Sequence, residues 1–103
     1  MAYNLYITEN ADKLVNKLVA YLLYKLKNRD AAIHLTNELD NIYGRLEDNP
    51  FQFPESLDSY LQSKGYREAY LKAMSYKVVF DVRGSDVYVL GVFHDKEKHE
   101  RKL

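Results

Sequence analysis

No cysteine occurs anywhere in the 103 residues, which removes disulfides, thiolate nucleophiles and cysteine-ligated metals from consideration. That suits a reducing compartment. Neither sign of charge is in excess: 15 Lys and Arg stand against 15 Asp and Glu, so no overall field argues for nucleic acid or a membrane surface. No apolar run approaches the roughly 18 residues of a membrane span, and the first residues lack the basic start, apolar core and small-residue cleavage site of a secretory signal. The expectation is a cytoplasmic protein. With only two prolines and four glycines there is no low-complexity stretch or linker, and no internal repeat is visible. What is plentiful is apolar and aromatic material, 47% hydrophobic with ten tyrosines, enough for one small domain over 1–103 that buries about two thirds of its unfolded surface.

Tyr3, Leu5 and Ile7 alternate with Asn4 and Tyr6 in the manner of a strand, and Thr8 then offers a helix cap. From Glu9 to Lys27 the residues Leu14, Val15, Leu18, Val19, Leu22, Leu23 and Leu26 recur at steps of three and four, the spacing of one helical face. Asn28-Arg29-Asp30 breaks that pattern. Asp30 is placed to cap a second helix whose stripe is Ile33, Leu35, Leu39, Ile42 and Leu46, and two helices joined by so short a link must run antiparallel. Gly44 weakens the second helix by up to about 1 kcal/mol relative to alanine, which points to fraying or close packing there. Glu47 to Lys64 contains Pro50 and Pro54 and reads as a loop pinned by Phe51 and Phe53.

After Gly65 a strand is expected over Tyr66 to Lys72. Tyr76–Val82 and Val87–Phe93 then flank Arg83-Gly84-Ser85-Asp86, a hairpin whose Gly84 can take the positive φ that a tight loop needs. The order β-α-α-β-β-β predicts an α+β fold: an antiparallel sheet with a two-helix hairpin packed on one face and the opposite face partly open. Burial should concentrate on Leu14, Leu18, Leu22, Leu39, Ile42, Val78, Phe80, Val89 and Phe93. A charged tail occupies about 95–103.

The place that looks built for chemistry or contact is the end of this hairpin, where His94 meets the charged tail. Across Lys64 to Arg83 the bases Lys64, Arg67, Lys72, Lys77 and Arg83 outnumber Glu68 and Asp81, so the open sheet face should be more positive than the whole. Tyrosines such as Tyr66, Tyr70, Tyr76 and Tyr88 either pack as sheet formers or present a face that stacks bases or holds a partner's helix. His94 is either a catalyst or a strand-end histidine bonded to backbone. Arg67 is either a functional cation or one half of a solvated pair with Glu68 or Asp81. His34 and His99 are isolated, and no metal site is expected, because a ligand set needs three or four convergent groups.

The order of elements, the Asn49-Pro50-Phe51-Gln52-Phe53-Pro54 loop, the Gly65-Tyr66-Arg67-Glu68 strand entry, Tyr76-Lys77-Val78-Val79-Phe80 and the closing Val89-Leu90-Gly91-Val92-Phe93-His94 together resemble the RelE/ParE superfamily of bacterial type II toxin–antitoxin toxins, the plasmid stabilisation family. The likeness spans nearly the whole chain. It implies a growth-inhibiting toxin without cofactors, neutralised by a cognate antitoxin whose complex largely sets the oligomeric state. It also implies one of two targets. RelE-like members cut messenger RNA on the ribosome without a metal, which needs a base, an acid and cations around the phosphate; ParE-like members poison DNA gyrase and need no catalytic site.

By resemblance, His94, Lys77 and Arg67 are the candidate catalytic residues, and Lys72, Tyr70, Lys96, Lys98 and Arg101 the candidate partner- or nucleic-acid-binding ones. Lys77 stands where the family usually has an arginine, and lysine lacks the planar fork that grips phosphate. After His94, where ParE-like chains usually continue Gly-Arg-Arg, this one continues Asp95-Lys96-Glu97. The lysine pair of RelE-like nucleases falls on Glu68 and Tyr70. This thinned cationic set favours ParE-like action on replication, the alternatives being ribosome-dependent RNA cleavage and a non-toxic binding module that keeps the fold.

Overall fold

In the computed structural model, which describes residues 2–95, strand β1 (Asn4–Ile7) runs directly into a capped helix. The Thr8 hydroxyl accepts from the Ala11 N–H at 3.2 Å and donates to Val89 O at 2.8 Å, so one group starts helix α1 (Glu9–Ala20) and ties it to the far end of the chain. The helix does not continue regularly to Lys27. A π-type turn occupies Tyr21–Lys25, with Leu26 N–H bonded to Tyr21 O at 3.0 Å. Asn28 N–H then reaches back to Leu22 O at 2.8 Å while Lys27 takes φ +50°, a Schellman-like ending with lysine where glycine is usual.

Asn28, rather than Asp30, caps helix α2 (Arg29–Asp48): its Oδ1 accepts from the Ala31 N–H at 3.0 Å. The helix passes through Gly44 without a break, and a Cβ there would touch nothing. The expected loop is more ordered than its prolines suggested. Asn49 starts a 3₁₀ turn over Pro50–Gln52, and Asp58 caps a short helix α3 (Ser59–Ser63).

Three antiparallel strands follow, β2 (Arg67–Tyr70), β3 (Tyr76–Arg83) and β4 (Asp86–His94), and the order across the sheet is β1-β4-β3-β2. Gly84, at φ +61°, supplies the first position of the two-residue loop between β3 and β4. β1 lies parallel to β4, so the sheet is mixed rather than wholly antiparallel. The sequence pattern could not settle that direction, because no hairpin turn joins β1 to its neighbour. Val79 pairs with Gly91 and Phe80 with Val89, which leaves Leu90 as a one-residue bulge.

One face of the sheet packs Val78, Phe80, Val87 and Val89 against Leu35, Leu39, Ile42 and Leu46 of α2 and Ala11 and Leu22 from the first helical segment. Leu14 and Leu18, expected in the core, are half-buried, and Leu14 reaches a second cluster on the other face formed by Leu61, Val79 and Phe93. The face expected to be partly open is thus partly closed by α3. Leu26 is 52% exposed because the π turn carries it off the stripe of Leu22, and Ile33 is 45% exposed because it stands two positions from Leu35, on the other side of α2.

In the second cluster the Phe93 ring lies over Gly91, where a Cβ would sit 2.5 Å from Phe93 Cζ. Phe93 is buried and cannot swing aside. Gly91→Ala should therefore cost about 1–3 kcal/mol in urea denaturation, as overpacking does. Lys27→Gly should do the reverse, gaining roughly 0.5–1 kcal/mol, since glycine adopts the left-handed conformation without the penalty of a Cβ.

Candidate functional site

The sheet face opposite α2 carries a buried charged pair. In the β2–β3 ladder Tyr70 stands opposite Lys77 and Glu68 opposite Val79, which makes Glu68 and Lys77 diagonal neighbours on one face. The Lys77 ammonium lies 2.5 Å from Glu68 Oε2, and both residues are almost fully buried, at 3% and 1% exposure. Lys77 is what satisfies Oε2, which accepts no other hydrogen bond among the described residues. Oε1 accepts from the Leu57 N–H at 3.1 Å and from the Tyr70 hydroxyl at 3.3 Å.

Burial alone would push the Glu68 carboxyl up. The Lys77 ammonium, the Leu57 N–H and the Ser56 hydroxyl outweigh it and hold the carboxyl below its ordinary value, so Glu68 is a carboxylate at neutral pH. Burial first, then the neighbouring Glu68 charge, raises the Tyr70 hydroxyl, which stays a neutral donor. The arrangement is chemically quiet. A carboxylate already engaged by a cation and two N–H or O–H donors makes a poor base at pH 7, and a lysine committed to it cannot grip a phosphate.

The three candidate catalytic residues do not converge. Arg67 pairs in register with Phe80 and His94 with Tyr76, rows about 13 Å apart along the strand, and strand alternation puts Lys77 on the face opposite to both. Arg67 donates from Nη1 to Phe53 O at 2.7 Å and lies 5.0 Å over the Phe51 ring, instead of pairing with Glu68 or Asp81. Asp81 takes Arg83 at 2.7 Å. His94 sits half-exposed at the end of β4, with Nδ1 3.2 Å from Asp95 Oδ1 and its ring edge-on to Tyr76 at 5.6 Å.

Of the candidate contact residues, Tyr70 and Lys72 are exposed at one end of the sheet, and Lys96, Lys98 and Arg101 lie outside the described residues. Lys72 is held by its backbone: its N–H donates to Glu38 Oε1 and its carbonyl accepts from His34 Nε2, each at 2.8 Å. That is the role of the isolated His34. Among the described residues no cluster of three His, Asp or Glu could hold a metal. The sequence reading missed Glu68 as an internal anchor, counting it instead as a lost lysine. Its place opposite Val79, on a strand paired with the buried Val78-Val79-Phe80 run of β3, is what buries it.

The description "ParE toxin of type II toxin-antitoxin system, parDE" matches residues 5–99 of this chain. The chain belongs to the ParE toxin family. A chain of the chromosomal ParDE toxin–antitoxin system from P. aeruginosa has the same fold, with a TM-score of 0.72 over 90% of this chain and 96% of that one at 16% identity. A search of curated proteins gave no match.

Removing one partner of the buried pair should be far worse than removing both. Lys77→Ala leaves a stranded carboxylate and should cost about 3–5 kcal/mol in chemical denaturation, whereas the double change Glu68→Leu with Lys77→Met should recover most of that loss. Because the Glu68 carboxyl is held below its unfolded value, its contribution is complete above that value and disappears as pH falls from about 4.5 through the folded pKa. Thermal unfolding measured across that range should fall steeply for wild type and more gently for Glu68→Gln.

Proposed function

We propose that this ParE-family chain acts as a cytoplasmic toxin on DNA gyrase, by contact rather than catalysis, and is held inactive by a cognate antitoxin. The observation that carries the reading is the burial of Lys77 against Glu68, within a family match that covers most of the chain. A nuclease reading would need that lysine in solution. The separation of Arg67, Lys77 and His94 supports the same conclusion, since acid, base and phosphate clamp must reach one phosphodiester.

The contact surface we assign comprises Tyr70 and Lys72 together with the tail residues Lys96, Lys98 and Arg101. Tyr70 and Lys72 are exposed beside the point where the tail begins: Asp95 N–H bonds to Ser75 O at 3.0 Å, and the Asp95 charge is close enough to act on the Tyr70 hydroxyl. Aromatic and cationic side chains on one end of a sheet suit a protein–protein or protein–DNA contact without cofactors. Among the described residues no helix is long and apolar enough to cross a membrane.

Inducible expression without antitoxin should give filamentous cells and gyrase-dependent DNA breaks while transcripts stay intact. His94→Ala should remain toxic, and the triple change Lys96→Glu, Lys98→Glu, Arg101→Glu should lower toxicity by roughly tenfold or more. Transcript cleavage that falls about 10²-fold to 10⁴-fold in His94→Ala would instead establish a nuclease. Normal growth at high soluble expression would leave only a binding module.

A further inference from the structure

Several cations of this fold are cancelled by a carboxylate: Arg83 by Asp81, Lys77 by Glu68 and Lys13 by Glu9. Arg45 and Arg67 are held differently. Among the described residues neither is ion-paired with a carboxylate, yet both guanidiniums are fixed in orientation. Arg45 Cζ lies 4.6 Å over the Phe53 ring while its Nε donates to Gln52 Oε1 at 2.8 Å. Arg67 Cζ lies 5.0 Å over the Phe51 ring while its Nη1 donates to Phe53 O at 2.7 Å.

One arginine comes from α2 and the other from β2, and both close on the same three residues, Phe51-Gln52-Phe53. That segment is itself tied down. The Phe51 N–H donates to Asn49 Oδ1 at 3.0 Å, and the Gln52 side-chain amide donates to Arg45 O at 3.2 Å and Asn49 O at 2.9 Å. Every group that orients the two forks is neutral, so their charges are not cancelled and each fork has N–H donors beyond the one it uses here. A guanidinium stacked in place has already lost the freedom that binding would cost it, and its planar fork matches phosphate oxygens in pairs. Beside the forks Phe51 is 52% exposed, with the Tyr3 ring edge-on to it at 6.1 Å. An aromatic ring so placed is a surface on which a nucleobase stacks.

We propose that Arg45, Arg67 and Phe51 form a site for a nucleoside monophosphate, the two guanidiniums taking the phosphate and Phe51 the base. Two uncancelled cations match the roughly two negative charges of a phosphate monoester, where a carboxylate would balance only one. Inorganic phosphate would use the forks but leave Phe51 in water. Strand alternation puts Arg67 on the sheet face toward α2 and Tyr70, which belongs to the proposed contact surface, on the other. The assignment is therefore independent of how the chain acts as a toxin.

The test uses the full chain, isotope-labelled for NMR and titrated separately with adenosine monophosphate, adenosine and inorganic phosphate. The nucleotide should move the side-chain Nε–H signals of Arg45 and Arg67 and the backbone amides around Phe51, and should bind roughly tenfold or more tighter than either fragment. Arg45→Gln and Arg67→Lys should each weaken its binding by about tenfold, the second because lysine keeps the charge but lacks the fork. Phe51→Ser should reduce nucleotide affinity to that of inorganic phosphate and leave phosphate binding unchanged. Arg45 and Phe51 are exposed, and circular dichroism of each variant checks that the fold is retained. No shifts at about 10 mM nucleotide, shifts confined to other residues, adenosine or phosphate binding as tightly as the nucleotide, or equal binding by Arg45→Gln would overturn the proposal. So would tighter binding, at the same residues, of a single-stranded oligonucleotide that lacks a terminal phosphate.

Discussion

The contact between Lys77 and Glu68 governs both what this structure is and what its sheet face can do. A lone buried charge of either sign would cost more than the domain could sustain, so each residue is tolerable only because the other is present. Through Glu68 the pair also fixes the backbone ahead of α3 at Leu57 and the phenol of Tyr70. The loop, the short helix that closes the second apolar cluster and the edge strand are thereby linked to one carboxylate. The same contact removes a cation from solvent.

The sequence was most legible where short-range physics decides. The stripe of α1 and α2, the Thr8 cap and the Gly84 turn follow from spacing and from single-residue conformational preference, and the structure has them. It was least legible where a distant partner decides. Nothing local says that β1 runs parallel to β4, and nothing in the periodicity announces a π turn that ejects Leu26 from its stripe. Lys77 shows the same limit at the site. A lysine in a strand reads as a cation for a ligand until the residue diagonal to it on the next strand is known.

Charge on the sheet face illustrates the difference between counting and placing. Five bases against two acids suggested a positive surface, yet Lys77 is neutralised by Glu68, Arg83 by Asp81, and the Arg67 guanidinium is spent on Phe53 O and the Phe51 ring. Lys72 is the base of this stretch that the fold grips only through its backbone, leaving its ammonium exposed. The excess positive charge of this stretch therefore rests on Lys64, Arg67 and Lys72, and not on Lys77.

The parallel pairing of β1 with β4 has a consequence for how the molecule comes into being. Residues 4–7 leave the ribosome well before their ladder partners, which begin 82 positions later at Asp86. Until β4 emerges β1 has no neighbour to pair with, and the Thr8 hydroxyl has no Val89 carbonyl to accept its hydrogen bond. Closing so long a loop is the slow kind of folding event. The four-stranded sheet thus cannot close until β4 has been made, however early β1 emerges.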